Sequence, residues 1–126
     1  MNDEKINVLV LGASTNPERY SNKAITELSK IHVNTYAVGN STGRVGTIPI
    51  LTAIPDSLSF HTVTLYLSPQ NQKAYYDQII ALRPQRVIFN PGTENPELAL
   101  LLQQHSIETE IACTLVLINT NQFLTK

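Results

Sequence analysis

Apolar positions fall along the chain in two alternating rhythms. Val8-Leu9-Val10-Leu11 is an unbroken apolar run, which suits a strand buried on both faces in a parallel sheet. Residues 7–11 are therefore expected as the first strand. A small-residue turn, Gly12-Ala13-Ser14, follows at once. Ile25, Leu28 and Ile31 then recur at helical spacing, so a helix is expected over 21–31, capped by Ser21 or Asn22. Thr35-Tyr36-Ala37-Val38 reads as the second strand. The segment Gly39-Asn40-Ser41-Thr42-Gly43-Arg44 reads as a loop on composition. Residues 45–50 suggest a short extended piece, with a helical turn around 50–53.

The same alternation continues. Thr62-Val63-Thr64-Leu65-Tyr66-Leu67 is the third expected strand, stopped by Ser68-Pro69. A helix over 70–82 would turn Ala74, Tyr75, Ile79 and Leu82 inward, and Pro84 ends it. Residues 85–89 form the fourth strand, closed by Asn90-Pro91-Gly92. Pro96 opens a helix to His105 with Leu98, Leu101 and Leu102 inward. Residues 107–111 give a short fifth strand. A helix is favoured over 112–119, although Thr114-Leu115-Val116-Leu117-Ile118 has strand propensity too. Five alternations imply an α/β fold: a Rossmann-like, doubly wound, five-stranded parallel sheet with helices on both faces.

Composition narrows the function classes. With 126 residues there is room for one domain with a real core. The chain is 42% hydrophobic and 15% charged, as in an ordinary globule. A net charge of −1 provides no broad field for nucleic acid or a membrane surface. No apolar run approaches the roughly 20 residues of a membrane helix. The polar start Met1-Asn2-Asp3-Glu4-Lys5 has no apolar signal region, so a cytoplasmic location is expected. One cysteine, Cys113, rules out an internal disulfide and fits a reducing compartment. His32, His61 and His105 lack metal-ligand spacing. A monomer or small homo-oligomer is expected, with no protein partner identified.

The chemistry-bearing residues gather at the expected strand ends. Ligands in such sheets sit beyond the carboxyl ends of the strands, at the switch point. A strand, a tight turn and a helix start at 8–24 aim backbone N–H groups and a helix dipole at one spot, which suits a phosphate. The turn Gly12-Ala13-Ser14-Thr15-Asn16-Pro17 has a single glycine, not G-x-G-x-x-G. No Asp or Glu follows the second strand to hold an NAD ribose, and no P-loop sequence is present. Arg44, with Lys23 or Arg19, would answer a phosphate. A phosphorylated adenosine ligand is favoured over NAD.

The chain resembles the small single-domain CoA-binding proteins and, in turn, the N-terminal CoA-binding domain of succinyl-CoA synthetase alpha subunits. The resemblance rests on Val10-Leu11-Gly12-Ala13-Ser14 with Asn16-Pro17 and Arg19-Tyr20-Ser21-Asn22. It continues in Tyr36-Ala37-Val38, Val45-Gly46, Ile54-Pro55, Val87-Ile88-Phe89-Asn90-Pro91-Gly92-Thr93-Glu94-Asn95 and Glu110-Ile111-Ala112-Cys113-Thr114-Leu115. It implies CoA as the ligand, with its pyrophosphate over 12–14 and the first helix start. Adenine and ribose would lie near 38–41, Leu67 and Ser68, and pantetheine would run toward 90–92. Two departures stand out. The family usually carries V-N-P after the second strand, where this chain has Val38-Gly39-Asn40. The synthetase domain also has a more glycine-rich first turn.

The candidate site therefore comprises Gly12, Ala13, Ser14, Asn16, Arg19, Asn22, Lys23, Val38, Gly39, Asn40, Arg44, Leu67, Ser68, Pro69, Asn90, Pro91 and Gly92. The leading expectation is a module that binds CoA or an acyl-CoA without chemistry of its own. The alternatives are an acyl-CoA or redox enzyme using Cys113 or Glu94, and an NAD(H)-binding regulatory module.

Overall fold

A computed structural model describes residues 5–124. The elements are β1 (Ile6–Ala13), α1 (Tyr20–Leu28), β2 (Val33–Gly39), β3 (Gly43–Val45), β4 (Ile48–Leu51) and β5 (Thr62–Leu65), then α2 (Pro69–Gln72), α3 (Tyr76–Leu82), β6 (Arg86–Phe89), α4 (Pro96–Gln104), β7 (Glu108–Ile111) and α5 (Thr114–Asn119). A 3₁₀ turn, Lys73–Tyr75, joins α2 to α3. The strands form one sheet in the order β3-β4-β2-β1-β5-β6-β7.

β1 is the axis of this sheet. It pairs in parallel with β2 on one side and with β5 on the other. Val8, Leu9, Val10 and Leu11 are all fully buried, because alternate side chains feed opposite faces. Val8 and Val10 join Ile25 and Leu28 of α1 and Leu117 and Ile118 of α5. Leu9 and Leu11 join Ile79 of α3, Leu98 and Leu102 of α4, and Phe60 from the β4–β5 crossover. The expected α/β arrangement with helices on both faces is present.

The sheet has seven strands rather than the expected five, and one pair is antiparallel. The extra strands are a hairpin: β3 runs antiparallel to β4, which adds in parallel to β2. Gly46, at φ +60°, makes its turn. These strands of three and four residues are too short to show alternation, and their Gly and Pro content reads as loop. Pro49 is tolerated because the ladder to β2 involves only Ile50 and Leu51. The helical turn expected around 50–53 is replaced by β4.

Three further expectations change. The third expected strand, β5, ends at Leu65, not Leu67. The expected helix over 70–82 is broken by the 3₁₀ turn, which leaves Ala74 exposed and buries Gln72 completely. Ser21 and Asn22 lie inside α1 and are buried, so neither caps it. Arg19 holds the N-cap position without a side-chain cap bond. The closing segment is helical over Thr114–Asn119.

The amino pole of the sheet is tied by Arg86, only 2% exposed. Its Nε donates to Thr62 Oγ1 at 3.1 Å and its Nη2 to the Phe123 carbonyl at 3.0 Å. The guanidinium stacks over the Phe123 ring at 4.7 Å and meets Glu110 Oε1 at 3.5 Å. This arrangement docks the segment after α5 far from the carboxyl edge.

Candidate functional site

The chain leaves β1 toward β2 and β4 on one side and returns to β5, β6 and β7 on the other. The switch point thus lies between β1 and β5, where a doubly wound sheet opens a crevice at its carboxyl edge. A cleft of about 900 Å³ occupies this position. That size falls in the range of small-molecule sites, about 300–1,000 Å³.

The floor is set by close backbone approach. Gly12, at φ +103°, leaves no room for a side chain: a Cβ would lie 2.9 Å from the Tyr66 carbonyl carbon. Gly39 pairs with Ala13 past an irregularity in the β1–β2 register. A Cβ on Gly39 would overlap the Ala13 carbonyl oxygen. The glycine that departs from the family's usual V-N-P is therefore required by the end of β1.

Beyond Gly12 the loop is pinned from within. Ser14 Oγ accepts from the Asn16 amide at 3.0 Å, and Asn16 Oδ1 accepts from the Glu18 amide at 2.9 Å. Asn22 Nδ2 donates to the Ser14 carbonyl at 2.9 Å. Helix α1 then opens on the cleft without a capping side chain. The amides of Ser14, Thr15, Tyr20 and Ser21 have no partner among the described residues. Unsatisfied amides at a helix start suit an anion.

The opposite wall is built by Asn90, 2% exposed. Its Nδ2 donates to Thr64 Oγ1 at 2.7 Å and to the Leu65 carbonyl at 2.8 Å, and its Oδ1 accepts from the Thr114 amide at 2.9 Å. Thr64 and Thr114 hydroxyls are 2.8 Å apart. The side chain of Asn90 is thus consumed in joining β5, β6 and α5, and its loop lines the cleft. Glu94 Oε1 accepts from the Gly92 amide at 2.8 Å and holds that turn. Tyr66 also lines the cleft; burial pushes its phenol up to about 12, opposed by the nearby Thr114 and Thr64 hydroxyls.

Of the expected residues, Gly12, Ala13, Ser14, Arg19, Asn40, Leu67, Ser68, Asn90, Pro91 and Gly92 line this cleft. The other seven do not. Asn16, exposed in the loop, and Asn22, buried in α1, hold the loop by the bonds described. Val38 is core, and Gly39 is covered by β1. Pro69 starts α2 behind Ser68. Arg44 is exposed on β3 opposite Pro49. Lys23 lies on a smaller crease between α1 and α5.

The cleft also gathers Thr15, Glu18, Tyr20, Ser21, Ser41, Tyr66, Asn71, Thr93, Cys113 and Leu115. Ser41 lies in the segment expected near adenine. Cys113 and Leu115 follow β7, so the rule that pointed to the other strand ends also covers them. Cys113 is half-buried at the N-cap position of α5. Glu94 and the three histidines are not in the lining, and no group of three His, Cys, Asp or Glu among the described residues could hold a metal. No helix among them is long and apolar enough to cross a membrane.

Sheet order and cleft together define a Rossmann-like α/β protein. The family profile of the CoA binding domain matches residues 7–119, and the chain belongs to that family. It is similar to a crystal structure of a protein described as uncharacterized, with 40% identity, 95% of this chain and 99% of that chain covered, and a TM-score of 0.89. Two others share the fold at lower identity. One is cell-free ID.343 from Thermus thermophilus, 20% identical, with 98% and 100% of the chains covered and a TM-score of 0.80. The other is a hypothetical protein from Pyrococcus horikoshii OT3, 21% identical, with 91% and 82% covered and a TM-score of 0.80. No curated protein matches the chain significantly.

Proposed function

We propose that the protein binds CoA or an acyl-CoA in the carboxyl-edge cleft and has no catalytic step of its own. Membership of the CoA-binding domain family supports the ligand class. The observation that carries the location is the start of α1, where Arg19, Tyr20 and Ser21 line the cleft and no side chain caps the helix. The pyrophosphate sits there, its charge met by four amides, the helix dipole and Arg19. Adenosine lies against Asn40, Ser41, Leu67 and Ser68, and the pantetheine arm runs past 90–92 toward Cys113. NAD is disfavoured because the cleft's acid, Glu18, precedes α1 instead of following β2.

The test is thermal unfolding with CoA, acetyl-CoA, NAD and ATP in parallel. A ligand at about 100 times its Kd adds roughly 2.7 kcal/mol. A shift with CoA and none with NAD supports the reading; the reverse removes the ligand assignment and leaves the fold intact.

A second reading, thiol exchange at Cys113, is favoured by the placement of that thiol on the cleft wall. The Cys113 thiolate would attack CoA disulfide, form a mixed disulfide and release one CoA thiolate. Intact mass after incubation with CoA disulfide decides it: an adduct lost in Cys113→Ser supports exchange, and no adduct removes it.

A further inference from the structure

Gln72 is a polar side chain with no exposure at all, at the end of α2 where the helix breaks into the 3₁₀ turn. Its Nε2 donates to the Leu67 carbonyl at 2.9 Å and to the Thr93 carbonyl at 2.9 Å. Its Oε1 accepts from Asn95 Nδ2, also at 2.9 Å. Leu67 and Thr93 both line the cleft, one after β5 and the other after β6. Asn95 in turn caps α4 through its Oδ1, which accepts from the Leu98 amide at 3.2 Å.

We infer that Gln72 is a positioning residue for the cleft: its amide brackets the β5 and β6 loops and sets the width between them. The ligand it serves rests on the CoA reading above; the bracket itself does not. Two donors and one acceptor in one plane are needed, and only a primary amide supplies them at this reach. The strand ladders cannot replace it, because β5 and β6 stop pairing at Leu65 and Phe89. Past those residues the bracket is what spans the two loops. It also commits both carbonyl dipoles to a buried amide, which keeps them from a negatively charged ligand in the cleft.

The experiment compares the native protein with Gln72→Met, similar in length but unable to bond. Calorimetric affinity is measured at a temperature where circular dichroism shows both fully folded. The probes are CoA, which spans the cleft, and inorganic pyrophosphate, which needs only the α1 start. The bracket predicts CoA binding weaker by about tenfold in Gln72→Met and pyrophosphate binding changed less than about twofold. Hydrogen exchange without ligand should quicken at Asn71, whose amide donates to the Ser68 carbonyl in the β5 loop, and at 92–95, and stay unchanged along β1. Equal loss of both probes, or no change in either, overturns the proposal. Gln72→Asn, whose amide is too short to reach both carbonyls, is expected to show the same split and serves if Gln72→Met fails to fold. If the native protein binds no CoA, the ligand reading fails while exchange still judges the bracket: quickening confined to the two loops supports it, and unchanged exchange refutes it.

Discussion

Asn90 shows how one buried side chain can hold a wall of the cleft together. Its side chain satisfies Thr64, the Leu65 carbonyl and the Thr114 amide in a buried place. Asn90→Ala strands at least two of those groups and should cost about 2–4 kcal/mol in urea unfolding. Gly12→Ala should cost about 1–3 kcal/mol, since it forces a side chain into positive φ against the Tyr66 carbonyl. Arg19→Ala should weaken CoA binding about three- to tenfold by calorimetry with little change in stability, because the residue is exposed at the cleft lip. Single residues were legible in sequence where the backbone dictates them. The run Gly12-Ala13-Ser14 marked the close backbone approach at the end of β1, although the strand runs on to Ala13 where a turn was expected, and Asn90-Pro91-Gly92 marked the wall. The direction of long side chains was not legible. Lys23 and Arg44 look like phosphate partners on a linear chain, but α1 turns one toward α5 and the hairpin carries the other to the sheet edge.

At the scale of elements, strong periodicity was decisive and weak periodicity misled. β1 and the Leu98 and Leu102 face of α4 follow from apolar spacing. The β3–β4 hairpin does not, because three or four residues cannot display a period. The helix over 70–82 hides a break because burial of Gln72 depends on the Thr93 carbonyl, 21 residues on, as well as on the nearby Leu67 carbonyl, and not on helix propensity. Packing at the amino pole also gives a pH response. Arg86 Nε donates to Thr62 Oγ1, so the hydroxyl hydrogen is free for His61 Nδ1, 2.8 Å away. Burial and the Arg86 charge hold His61 below its usual 6.5, with Glu108 opposing. The unfolded chain therefore binds the proton more readily, and stability should fall as pH drops below 6.5 toward the folded value. His61→Gln should flatten that slope in denaturant titrations between about pH 5 and 7. Phe123→Ala, which removes the ring under Arg86, should cost about 3–5 kcal/mol.

The whole molecule is made of two stretches that meet along β1 and β5. Residues 6–51 supply one flank of the cleft and residues 62–119 the other, joined by a single crossover at 52–61. Val8 pairs with Thr62 and Leu11 with Leu65, across a long separation in sequence. Parallel pairing over such a span is slow to form, so the cleft should be a late product of folding. A ligand seated there touches both stretches at once and behaves as a clasp. If the crossover is cut at 55–58 and the two pieces are made separately, CoA should drive their reassembly, with the apparent association constant rising as ligand saturates the joined form. Split this way, the protein would report the presence of its ligand by whether it exists in one piece or two.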